Sequence, residues 1–218
     1  MQDKGFFHVV IASDSLSLPR PWNQKQLDDK PDNFFRIDET YPFLLREKLR
    51  IALNDDVIVS NYAVRASSLQ RASVMGPDLF SWMSADISII HQGVVDCWLK
   101  ADGEPRIPLD RFVEFVEKIY AEKSKYGQSI PSIQFGILPT NQRMLEKEPR
   151  LNDSISAFNE VLRTLIPVDS STLFIDVERL PEDERLKIVH EDGHHLSRYG
   201  HQKYASIIFD QINKLNLI

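Results

Sequence analysis

Phe7-His8-Val9-Val10-Ile11-Ala12-Ser13-Asp14-Ser15-Leu16-Ser17 is the stretch on which the reading of this chain turns. Its apolar, β-branched run predicts a buried strand, and the change to small and polar residues at Ser13 marks the strand's end. Ser15 then stands at the carboxyl end of that strand. In open α/β sheets ligands bind along that edge, so a hydroxyl delivered there by a rigid strand is placed to act as a nucleophile. A serine hydroxyl needs a base, and Asp192-Gly193-His194-His195 near the other end of the chain offers a carboxylate three residues before an imidazole.

Outward from that strand the pattern repeats. Asp56 to Ser60, Ile87 to His91, Ile133 to Leu138 and Leu173 to Val177 read as four more short apolar strands. Between them, helices are predicted from Thr40 to Leu49, through about Met83, from Leu109 to Lys125, from Asp153 to Leu165 and from Ser197 to Leu215. Strands alternating with helices imply a three-layer α/β/α sandwich around a five-stranded parallel sheet. Right-handed crossovers would gather Ser15, the segment Asn61 to Ser68, the segment Gln92 to Trp98 and the Asp192 to His195 loop along one edge.

The totals narrow the class. The 218 residues suit a single domain over 1–218 with a full core, and 42% hydrophobic with 27% charged residues is ordinary for a soluble globular chain. A net charge of -6 without a Lys/Arg stripe argues against a nucleic-acid surface. The apolar run from Phe6 is too short for a signal core or a membrane span, and the lone Cys97 suits a reducing compartment, so a cytoplasmic protein is expected. Cys97 itself reads as a small buried hydrophobe. Leu18 to Asp38, with Pro19, Pro21 and Pro31, reads as a long irregular connection and a candidate pocket wall. Tyr41, Trp22, Trp82 and Trp98 are candidates for stacking on a sugar, although core packing is the commoner fate of such residues.

Taken together, Asp14-Ser15-Leu16-Ser17, Asn61 before a small-residue loop, Gly93-Val94-Val95-Asp96 and Asp192-Gly193-His194-His195-Leu196 resemble the four sequence blocks of the SGNH (GDSL) esterase/lipase family. The resemblance spans nearly the whole chain and implies the flavodoxin-like SGNH hydrolase fold. Carried onto these positions, it implies Ser15 as nucleophile, His195 as general base and later acid, and Asp192 as the group that orients the imidazole. It also implies an oxyanion hole from the Ser15 N–H and from Ala66, where the family has glycine. Val95 replaces the family's asparagine donor, so either another donor such as Gln92, Asn61 or Arg65 substitutes, or catalysis is slow, or the reaction differs. With Arg20 and Asp96, the latter reading equally as a buried, paired structural acid, those three make up the expected substrate-binding set. Ser15 to Arg20, Glu39-Thr40-Tyr41-Pro42 and Val94 to Cys97 look similar to a bacterial subgroup associated with polysaccharide biosynthesis.

The resemblance thus implies an esterase removing small acyl groups from a carbohydrate or related ester, without cofactor or metal. An O-acyltransferase acting on sugars and a non-catalytic binding protein of the same fold are the alternatives. His190-Glu191-Asp192-Gly193-His194 also matches H-E-x-x-H, with His201 as a conceivable third ligand. That zinc motif requires a helix, and Gly193 interrupts one.

Overall fold

The computed structural model describes residues 5–20, 35–54, 56–126, 130–167, 169 and 171–218. Five strands, β1 (Phe7–Ser13), β2 (Val57–Asn61), β3 (Ile87–His91), β4 (Ser132–Phe135) and β5 (Thr172–Ile175), form one sheet in the order β2-β1-β3-β4-β5. Every neighbouring pair is parallel. Val9 stands beside Val59 on one side and Ile87 on the other, and Ser13 is level with His91.

A parallel strand in mid-sheet is covered on both faces, which is why β1 and β3 are apolar without alternation. Val9, Val10, Ile11, Ile87, Ile89 and Ile90 are fully buried. The longer helices are α1 (Tyr41–Leu53), α4 (Leu109–Tyr126), α6 (Leu151–Leu165) and α8 (Arg198–Lys214), with shorter ones at α2 (Leu69–Val74), α3 (Val94–Cys97), α5 (Gln142–Leu145) and α7 (Glu182–Ile188). Helices cover both faces: α1 and α7 pack on α8, while α4 packs between α2 and α6. Among the described residues no helix is long and apolar enough to cross a membrane.

Several boundaries differ from the sequence expectation for identifiable reasons. The helical stretch toward Met83 is broken into α2 and a π-helical turn at Asp78–Trp82, with Gly76 and Pro77 between them. Strand β4 ends at Phe135, because Gly136 and Ile137 turn toward Asn159, whose side chain bonds the Ile137 N–H at 2.7 Å and its carbonyl at 2.8 Å. Thr40 is the residue before α1, but its hydroxyl turns back to the Ile37 carbonyl rather than capping the helix. Most of the expected pocket-wall loop, including Trp22, Pro21 and Pro31, lies outside the described residues; its two ends are paired through Arg20 and Phe35.

The chain runs from β1 out to β2 and then back across to β3. That reversal opens a crevice beyond the carboxyl ends of β1 and β3, the usual ligand position in such a sheet.

Candidate active site

Ser15 emerges directly from β1 in a single 3-10 turn, Ser15–Ser17. Asp14 fixes that turn by accepting the Leu16 N–H at 2.9 Å on Oδ1. Ser17 is held in place by Asn61, whose Oδ1 accepts the Ser17 hydroxyl at 3.1 Å. The result is a serine projected beyond the sheet edge on a backbone braced from both β1 and β2.

The partner turn is built separately. Val189 and Leu196 form an isolated antiparallel bridge, and the His190 N–H bonds the His195 carbonyl at 2.7 Å, so residues 190–195 close into a compact loop. Gly193 has φ +90, and a Cβ there would come within 2.5 Å of the Met144 Cβ. The backbone therefore cannot continue as a helix through this segment, and the H-E-x-x-H pattern lies in a turn. Thr140 and Asn141 pin the loop to the sheet by donating to the Gly193 and His190 carbonyls.

Within the loop, Asp192 gathers most of the donors. Its Oδ1 accepts the N–H groups of His194 at 3.2 Å and His195 at 3.1 Å, while Oδ2 faces His195 Nδ1 at 2.9 Å and pairs closely with the Arg20 guanidinium. His195 Nε2 lies 3.0 Å from Ser15 Oγ. The carboxylate on Nδ1 selects the tautomer with its proton there, which leaves the Nε2 lone pair facing the serine hydroxyl.

Electrostatics sharpen this arrangement. Burial alone would push the Asp192 carboxyl up, but the His190 and His195 rings against it outweigh that cost and hold it well below the usual carboxylate range. Burial lowers His195 below the ordinary histidine value, opposed by the bond to Asp192. An ionised Asp192 beside a neutral His195 is the charge state a proton acceptor needs near neutral pH. His194 is pushed down to about 4, by burial first and by His195 second, and its ring packs edge-on against Trp98 at 4.6 Å.

Ser15, His194 and His195 open onto a cavity of about 770 Å³. Val94, Val95 and Trp98 line it, together with the cationic side chains of Arg65, Lys100 and Arg106. Lys100 and Arg106 were not anticipated from the sequence; they come together only because the Leu99–Pro105 bridge folds the segment after α3 back on itself. Ala66 lines the same cavity with φ +56, the left-handed conformation that glycine adopts more cheaply. Among the described residues neither the Ser15 N–H nor the Ala66 N–H makes a hydrogen bond within the protein.

Four residues of the expected binding set have other tasks. Asn61 braces Ser17. Gln92 is buried and donates to the Ser13 carbonyl at 3.1 Å and the Ser67 hydroxyl at 2.8 Å, so it does not replace the missing asparagine donor. Asp96 is fully buried and accepts the Leu69 N–H at 2.9 Å, which ties α3 to the start of α2. Arg20 turns to Asp192 and His190 and does not line the cavity. Of the set, Arg65 alone lines the cavity.

The aromatic candidates divide likewise. Tyr41 is buried with its hydroxyl 3.1 Å from His91 Nδ1, Trp82 is 80% exposed, and Trp98 lines the cavity. Cys97 is buried, bonds the Val94 carbonyl at 3.3 Å, and burial pushes its thiol well up. His201 is buried against Tyr41, whose backbone N–H its Nδ1 accepts at 3.1 Å, and among the described residues it joins neither His190 nor His194 in a cluster that could hold a metal. Ligating atoms of Asp192, His194 and His195 do lie within 4.8 Å of one another, but there Asp192 already pairs with Arg20 and His195.

No family model and no curated protein matches the sequence. Solved structures do match the fold. The acetyl xylan esterase AlAXEase superposes with a TM-score of 0.67 at 16% identity, covering 94% of this chain and 100% of that one. A lipase/acylhydrolase from Enterococcus faecalis gives 0.64 at 15% identity, over 94% and 95%. A lipolytic protein of the G-D-S-L family from Desulfitobacterium hafniense gives 0.61 at 14%, over 91% and 95%. A five-stranded parallel sheet with helices on both faces, matched along nearly its whole length by these proteins, makes this the SGNH hydrolase fold.

Proposed function

We propose that this protein is a carboxylic ester hydrolase working through an acyl-serine, with a small acyl group on a carbohydrate as its substrate. The observation that carries the reading is the unbroken line from Ser15 Oγ to His195 Nε2 at 3.0 Å and from His195 Nδ1 to Asp192 at 2.9 Å, opening on a cavity. Support for a sugar ester comes from the acetyl xylan esterases among proteins of this fold and from the likeness to the polysaccharide-biosynthesis subgroup.

In this reaction Ser15 Oγ attacks the ester carbonyl while its proton passes to His195 Nε2. Asp192 holds the imidazolium that forms. The Ser15 and Ala66 N–H groups receive the oxyanion. Collapse breaks the bond to the alcohol, which takes the proton from His195, and water activated by the same imidazole then releases the acid. Val95 offers no third donor, and an absent oxyanion donor typically costs about 2.7–4 kcal/mol of transition-state stabilisation. Turnover is accordingly slower than in a site with all three.

The test is hydrolysis of short-chain 4-nitrophenyl esters by wild type and Ser15→Ala, with and without a chelator. The expected result is a drop of about 10³-fold or more in Ser15→Ala with no chelator effect. Equal rates in the two proteins, or loss on chelation, overturn the proposal.

A further inference from the structure

Resting on the esterase reading, we infer that the substrate carries an oxyanionic group, a carboxylate or a phosphate monoester, which Arg65, Lys100 and Arg106 receive at the wall of the catalytic cavity. The chain as a whole is acidic, with 32 Asp and Glu against 26 Lys and Arg. The cavity reverses that balance: three cationic side chains line it and, among the described residues, no carboxylate does. A wall so unlike the rest of the surface concentrates field lines for an anion, most strongly where apolar walls keep the local dielectric low.

These side chains are presented by a built structure. The segment after α3 returns on itself, with the Arg106 N–H bonded to the Trp98 carbonyl at 2.6 Å and the Lys100 N–H to the Glu104 carbonyl at 2.8 Å. The Ile107 N–H anchors its far end to the Asp96 carbonyl at 3.0 Å. Lys100 and Arg106 thus leave one small hairpin toward the same space, while Arg65 enters from the loop after β2, next to Ala66. Lys100 forms an exposed ion pair with Asp102 at 3.5 Å, and Arg106 forms no ion pair among the described residues, although its charge acts on the buried Asp96 carboxyl. An arginine with no carboxylate in ion-pair contact among the described residues, lining the same cavity as Ser15 in an acidic protein, is available for bidentate contact with an oxyanion.

Val94, Val95 and Trp98 line the same cavity and give it an apolar surface beside the cations. Val95 lines the cavity at the position where the family resemblance implies a polar donor, so specificity is shifted from the carbonyl to a charge farther along the substrate. The ester is thus amphipathic along its length, with an uncharged middle against these residues and an anionic end.

The test separates this inference from the esterase reading by measuring binding without turnover. Calorimetric titration of Ser15→Ala compares acetylated glucose 6-phosphate and acetylated glucuronate with acetylated glucose, and 4-nitrophenyl hemisuccinate with 4-nitrophenyl butyrate. The two comparisons distinguish a charge on the alcohol portion from one on the acyl portion. In at least one, the anionic ester is expected to bind about tenfold or more tighter than its neutral counterpart. Ser15→Ala/Arg106→Glu is expected to abolish that preference, and raising the salt to weaken it. Equal binding of charged and neutral partners, or a preference untouched in the Arg106→Glu protein, overturns the inference. Wild-type turnover of the neutral esters, measured separately, bears on the esterase reading alone.

Discussion

Two of the regions in which this molecule buries histidines do so with opposite consequences. Beneath the sheet edge, His91 and His201 sit among Tyr41, Phe35, Phe135 and Tyr204, with ring centroids 4.7 to 6.1 Å apart. Burial pushes both down to about 3, so they are neutral packing groups whose Nδ1 atoms meet Tyr41. His195 is nearly as buried, yet Asp192 opposes the effect of burial and Ser15 stands on its other nitrogen. Burial alone makes an inert ring; burial with a carboxylate on one nitrogen and a hydroxyl on the other makes a base.

The largest expected effect tests that contrast directly. His195→Ala should lower kcat/KM for a neutral ester by about 10³-fold or more while moving the melting temperature little. His201→Ala should do the reverse, destabilising by about 2–4 kcal/mol through its cavity and the unpaired Tyr41 N–H, with the folded fraction still turning over. Urea unfolding and initial rates on both variants decide it, and matching losses of activity and stability in the two would break the comparison.

A smaller effect sharpens it. The Arg20 guanidinium lies against Asp192 and its charge lowers His195 further. If His195 is the base, activity rises with pH as its ring loses a proton, and the acidic limb of kcat/KM lies below the ordinary histidine value. Arg20→Gln removes a positive charge, so the His195 pKa rises and that limb moves to higher pH. The plateau rate should change by only about two- to tenfold. A pH–rate profile with an unmoved limb would show that Arg20 acts only as a strut.

What was legible in the sequence follows the same division. The apolar run of β1 and the abrupt Asp14-Ser15 stop are local signals, as is the Asp192-to-His195 spacing, and each stands where local pattern places it. The polar residues at the strand ends were harder. Asn61 reaches Ser17 across 44 positions and Gln92 reaches Ser67 across 25, so nothing in their own neighbourhoods marks them as braces rather than ligands. Helix α3 spans four residues, too few to show a period, so Asp96 read equally as a pocket residue and as a buried, paired acid, and only its bond to Leu69 across 27 positions decides for the second. Lys100 and Arg106 carry no motif at all; only the Leu99–Pro105 bridge brings them to one wall.

The smallest expected effect concerns a carboxylate without the partners that Asp192 has. Asp14 is fully buried, its Oδ2 meets no donor, and burial raises it to about 7, with Asp96 adding repulsion. Asp96 is raised to about 7 as well, by burial before any other cause. The folded protein therefore keeps the Asp14 proton across a window, from the ordinary value of 3.8 to about 7, in which the unfolded chain has released it. More protons bound in the folded state means that stability falls as pH rises through that window. Asp14→Asn keeps an oxygen for the Leu16 N–H and removes the charge, so its stability relative to wild type should be unchanged near pH 4 and greater above pH 7, by on the order of 1–2 kcal/mol. Melting curves from pH 4 to pH 8 measure the difference. Asp192 must behave in the opposite sense, since its depressed pKa makes it stabilising above the unfolded value and lost only in strong acid. A buried and a half-buried aspartate at one sheet edge thus differ in the sign of their contribution because one is surrounded by donors and the other is not.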